Sequence, residues 1–98
     1  MKDFILFMRG DVAAEGGDDG WEAYLQWLRG TGRFDGGSGI GAGRCVSRSS
    51  REQPGLSPLT GYLRVRAENL EDAVALLKGN PLYEAGGCVE VRELPRDD

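Results

Sequence analysis

Asp35, Tyr62, Arg64, Arg66 and Arg92 are the side chains whose types and spacing best suit them to engage a small molecule. Tyr62, Arg64 and Arg66 are alternate residues of Thr60-Gly-Tyr-Leu-Arg-Val-Arg-Ala67, and alternate residues of a strand point to one face. Guanidinium groups beside a phenol could clamp a carboxylate or phosphate, because arginine presents paired donors in one plane. Arg92 sits in a second such run, Cys88-Val-Glu-Val-Arg-Glu-Leu94, and would project to the same side. The competing reading pairs these arginines with Glu68, Glu90 or carboxylates of a partner chain, as charged interface residues commonly are. Asp35 could serve as a general base if its surroundings raised its proton affinity; otherwise it is an ionised turn residue.

Other chemistry is harder to build. The chain has no histidine, the side chain best suited to proton transfer near neutral pH. Its two cysteines, Cys45 and Cys88, lack CxxC spacing and are too few for a disulfide scaffold, so both are expected reduced, in strands, in a cytoplasmic protein. No metal site follows from them. Five glycines between positions 36 and 43 suggest a phosphate cradle, but GxxxxGK[ST] is absent and GxGxxG is not met before a helix. The preferred reading is a glycine-softened strand whose bare backbone lets another surface approach closely, and no cofactor is expected. Trp21, Tyr24 and Trp27 lie at helical spacing, which favours packing over an aromatic cage.

The elements that position these residues follow from hydrophobic period and turn chemistry. Asp3–Arg9 reads as strand one, with Phe4, Leu6 and Met8 on one face and Ile5 and Phe7 on the other, so both faces need cover. After a glycine-rich acidic loop, in which Asp18 or Asp19 could cap, Trp21, Tyr24, Leu25 and Leu28 mark a first helix ending at Gly30. Ile40–Ser47 reads as strand two, residues 47–59 as a long polar loop, and Thr60–Ala67 as strand three. Asn69 caps a second helix with the stripe Leu70, Ala73, Val74 and Leu77, stopped by Gly79 and Pro81. Cys88–Leu94 is strand four, with Val89 and Val91 toward the helices.

This order predicts an α+β, ferredoxin-like βαββαβ domain: a four-stranded antiparallel sheet with two helices on one face, the whole of residues 1–98 forming one domain. The opposite face would expose strand-one apolar side chains with Tyr62, Ile40 or neighbours, which predicts a homodimer packed sheet to sheet. A net charge of −4 argues against nucleic acid as a partner, and no apolar run is long enough to cross a membrane.

Leu59-Thr-Gly-Tyr-Leu-Arg-Val-Arg-Ala-Glu-Asn-Leu-Glu-Asp-Ala-Val74, continuing through Asn80-Pro-Leu-Tyr-Glu-Ala-Gly-Gly-Cys-Val-Glu-Val-Arg92, resembles the YCII-related, or DGPF-domain, family. Phe4–Asp11 and the Trp27–Gly39 region are also similar, and Gly86–Arg92 is the most specific stretch. The resemblance implies a dimeric α/β-barrel of two ferredoxin-like subunits with a small cleft near the interface. For some members the resemblance implies an enzyme using a His and Asp pair, and for one lineage a dehydrochlorination; the absence of histidine excludes that inheritance here. The DGPF segment itself is replaced by Arg51-Glu-Gln-Pro-Gly-Leu-Ser-Pro58. The leading expectation is a dimer binding a small molecule, with anions the favoured class, in a cleft near the dimer interface. The alternatives are an enzyme acting on a small acidic metabolite with Asp35 as base, and an interaction module without a ligand.

Overall fold

The computed structural model describes residues 1–12, 19–48 and 55–96. The proposed capping role of Asp18, most of the acidic loop and the first half of the Arg51–Pro58 segment lie outside them.

Strand β1 (Lys2–Arg9) is flanked antiparallel by β3 (Leu59–Ala67) and β4 (Cys88–Leu94), and β2 (Phe34–Gly39) pairs with the far side of β3. The sheet order β2-β3-β1-β4 is that of the ferredoxin-like fold. Period-two alternation sets the faces. Phe4, Leu6 and Met8 are buried under the helices together with Leu63, Val65 and Ala67, while Ile5 and Phe7 are only half-buried on the other side. Val89 and Val91 pack against the core as expected, and Glu90 and Arg92 fall on the opposite face.

Helix α1 (Trp21–Gly30) buries Tyr24 and Leu28 and rests Trp21 and Leu25 on the core edge, which leaves Trp27 45% exposed. Its first turn is preceded by Gly20 at φ 97°, without a side-chain cap, so Asp19 does not cap it. Helix α2 (Leu70–Ala75) is capped as expected, the Asn69 side chain accepting from the Asp72 N–H at 2.8 Å. Of the expected stripe, Ala73 is buried within the helix and Leu77 in the turns that follow it, beside Leu76, while Leu70 and Val74 are exposed. The helix gives way to turns after Ala75, and a short α3 (Pro81–Glu84) follows, opened by Pro81 and capped by Asn80. The expected stop before Pro81 is met, and the short α3 is the element that period alone does not announce.

Strand two also differs. The ordered pairing is Phe34–Gly39, whereas Ile40–Ser47 carries no strand, so Cys45 lies outside the sheet and Cys88 opens β4. The reason is steric: β2 runs so close to β3 at Gly37 that a Cβ there would overlap the Tyr62 carbonyl oxygen. Apolar content at Ile40 and Val46 suggested the strand, yet Val46 is 73% exposed. Backbone fit, rather than side-chain propensity, locates the edge strand.

Tyr24 ties α1 to the turn that follows α2. Its hydroxyl donates to the Leu76 carbonyl oxygen at 2.8 Å in a buried setting, and burial pushes the phenol pKa up. Tyr24→Phe leaves that carbonyl without its donor, and a stability loss of about 1–2 kcal/mol is expected from chemical denaturation.

Candidate ligand cavity and the open sheet face

On the helix side of the sheet, at its β2 edge, α1 stands off β2 and β3 and leaves a cavity of about 510 Å³. Its walls come from three sources. Trp21 and Leu25 descend from α1, Met8 and Leu63 rise from the sheet, and Phe34 closes the end beside Arg29. The floor is nearly bare backbone, Gly36, Gly37, Gly39 and Gly61, with Ser38, Thr60 and Tyr62 among them. These glycines are what give the cavity depth. Gly39 is paired with Gly61 two residues beyond the Gly37–Leu63 pair, so both lie on the helix-facing side, where side chains would otherwise fill the space. The volume falls in the range of sites for small organic molecules.

The lining is apolar with few polar groups. Ser38 Oγ donates to the Gly39 carbonyl at 2.9 Å. Arg29 brings the one formal charge among the described lining residues, its guanidinium carbon 5.8 Å from the centre of the Phe34 ring. No carboxylate, thiol or lysine lines the cavity among the described residues, and no group of three His, Cys, Asp or Glu there is placed to hold a metal ion.

The residues singled out from sequence lie largely elsewhere. Tyr62, Arg64 and Arg66 share the open face of β3, and Arg92 shares it on β4, two strands away across β1. Register puts Ile5 between Arg64 and Arg92, and Phe7 between Tyr62 and Glu90. Arg66 is engaged: its Nε lies 3.1 Å from Asp35 Oδ2 and its Nη2 donates to the Gly32 carbonyl at 2.6 Å. Arg92 lies 3.6 Å from Glu90, which also faces Arg9 at 3.4 Å. Arg64 is exposed and has no ion pair among the described residues. Asp35 thus meets a guanidinium on the open face and is not among the cavity lining; only Tyr62 belongs to both neighbourhoods. Sequence reasoning missed Trp21, Leu25, Arg29 and Phe34 as a group because helix period assigns the first two to packing. The glycine cluster at 36–39 was the available signal.

One ion pair braces the frame. Arg33, in the connector between α1 and β2, reaches Asp72 in the first turn of α2 at 2.7 Å, and the same carboxylate oxygen accepts the Glu68 N–H at 3.0 Å. That backbone N–H, and then Arg33, hold the Asp72 carboxyl below the ordinary value of 3.8. A carboxyl lowered in the folded state contributes stability that is complete above the unfolded value and is lost as pH falls through the folded one. Thermal midpoints are therefore expected to drop below about pH 4. Asp72→Asn should flatten part of that drop and lower the midpoint at pH 7; Asp3 and Asp11, also lowered by their arginine partners, act in the same direction.

No protein-family model and no curated protein matches the sequence. In structure, the chain is similar to 5-chloro-2-hydroxyhydroquinone dehydrochlorinase from Burkholderia phenoliruptrix, solved in complex with 2,5-dihydroxybenzoquinone. The TM-score is 0.59 at 16% identity, over 97% of this chain and 95% of that one. The likeness establishes a shared fold over nearly the full length of both.

Proposed function

We propose that this protein is a small-molecule-binding domain whose ligand occupies the cavity between α1 and the β2–β3 edge, and that it works as a homodimer paired through its open sheet face. The observation that carries the ligand reading is a cavity of about 510 Å³ with an apolar, aromatic wall and a glycine floor in so small a chain. The space opens to solvent along one side, and its volume lies in the range of clefts that hold small organic molecules. The structural neighbour was solved with a flat, ring-sized molecule, which supports a ligand of that size.

On this reading the open-face residues have a different job. Ile5, Phe7 and Tyr62 form a half-buried apolar centre, with Arg64, Arg92 and Glu90 beside it and Asp3, Arg9, Arg66 and Asp35 beyond. Apolar centre with charged rim is the composition of a pairing surface. Asp35, occupied by Arg66 and outside the cavity lining, is poorly placed as a base for a cavity ligand. Binding without turnover is accordingly preferred over catalysis.

A thermal-shift screen of ring-sized molecules tests the ligand reading. Gly39→Leu is the control, because a Cβ at Gly39 meets only the Thr60 carbonyl oxygen, at 3.9 Å, and a leucine there grows into the cavity. Compounds that stabilise the wild type should fail to stabilise Gly39→Leu while that variant keeps its fold. Equal stabilisation of both would place the ligand elsewhere.

A further inference from the structure

The cavity combines two features that together select a ligand class. Its body is apolar and aromatic, from Trp21, Leu25, Phe34, Met8 and Leu63. Its rim carries Arg29, an exposed residue for which no carboxylate partner is found among the described residues, although the chain as a whole has more acidic than basic side chains. In the last turn of α1 a cation is favoured by the helix dipole, but that accounts for the charge and not for its position above Phe34 at the mouth of an apolar space. The arrangement is a planar donor group beside an aromatic ring, facing a hollow with no other formal charge among its described lining residues.

Resting on the ligand reading above, we infer that the cavity takes an aryl oxyanion, a flat ring bearing a carboxylate or phenolate oxygen that receives the Arg29 guanidinium while the ring lies between Trp21, Leu25 and Phe34. Cations are disfavoured by the like charge of Arg29, and small aliphatic acids leave the aromatic wall uncovered. Neutral rings of the same shape fill the space but leave Arg29 to water, so they lose the charge-assisted bond.

Benzoate, its neutral counterpart benzamide, pentafluorophenolate and acetate serve as probes. Trp27, exposed and outside the cavity, is replaced by phenylalanine so that Trp21 alone reports binding by fluorescence. Benzoate is expected to bind at least about 10-fold more tightly than benzamide, since a hydrogen bond to a charged group contributes about 1.5–3 kcal/mol. That preference should shrink with added salt. Arg29→Gln should bring benzoate down to benzamide, and Arg29→Lys should restore part of the difference. Pentafluorophenolate binding with benzoate marks the oxyanion as the recognised feature; benzoate alone narrows it to carboxylates, and acetate should not compete. Equal affinity for benzoate and benzamide in the wild type, or a preference that survives Arg29→Gln, overturns the charge inference and leaves the cavity as a neutral-ring site. Failure of every aromatic probe to reach Trp21 overturns the ligand reading with it.

Discussion

Gly37→Ala is expected to cost about 3 kcal/mol of stability and to abolish ligand binding, more than any other single methyl group added to the cavity floor. The cause is steric. The new Cβ would overlap the Tyr62 carbonyl oxygen and stand 2.8 Å from Leu63 Cδ2 and 3.0 Å from Leu63 Cα, and the first and last of these are backbone atoms that cannot swing away. β2 would have to peel from β3, which removes the floor beneath the cavity. Two neighbours calibrate the effect. A Cβ at Gly36 meets nothing within 4 Å, so Gly36→Ala pays only for the left-handed backbone at φ 97°, about 1 kcal/mol. Gly39→Ala has room and ordinary backbone and should be nearly neutral. Urea unfolding of the three variants should rank them Gly37, Gly36, Gly39 in decreasing cost. A Gly37→Ala protein as stable as the wild type would mean that β2 does not approach β3 as described.

Phe7→Asp is expected to turn a dimer into a folded monomer. Phe7 sits at the middle of the central strand on the open face, in register with Tyr62 on one side and Glu90 on the other. Its helix-side neighbours Leu6 and Met8 are buried independently, so the subunit core does not depend on it. Pairing two sheets would bury this ring twice, once from each copy, and at about 2 kcal/mol each the loss weakens association by about 1000-fold. A carboxylate set against its own copy adds repulsion. Sedimentation should show dimers for the wild type and monomers for Phe7→Asp at the same micromolar concentration, with unchanged far-ultraviolet circular dichroism. A wild type that sediments as a monomer contradicts the pairing proposal outright.

Much of the fold was legible because its signals are local and strong. The double-sided apolar run Phe4–Met8 can only be an interior strand, the alternation from Thr60 to Ala67 can only be half-buried, and Asn69 announces a helix start. The Gly86-Gly87 pair, part of the most specific resemblance, has a plain steric basis. Gly86 adopts φ 91° after α3, and a Cβ at Gly87 would press on Leu82. What escaped was set by contacts distant in sequence. β2 lies where two backbones can touch, a property of Gly37 and its neighbour across the sheet rather than of apolar content, and α2 ends at Ala75, short of the last residue of its apolar stripe.

The candidate site was half legible for the same reason. Alternation correctly grouped Tyr62, Arg64 and Arg66 on one face, with Arg92 beyond β1. It could not reveal that Arg66 is taken up by Asp35 and Gly32, or that Trp21, Leu25, Arg29 and Phe34 converge with the glycines over a hollow. A cavity is a property of missing volume, and missing volume has no residue to announce it.

Amide chemical-shift mapping with benzoate and benzamide tests the central claim most directly, because it locates a ligand without assuming which residues bind it. Shifts are expected at Trp21, Leu25, Phe34, Gly39 and Gly61, with Arg64 and Arg92 unmoved. Shifts confined to Arg64, Arg66 and Arg92, with the cavity residues silent, would contradict it.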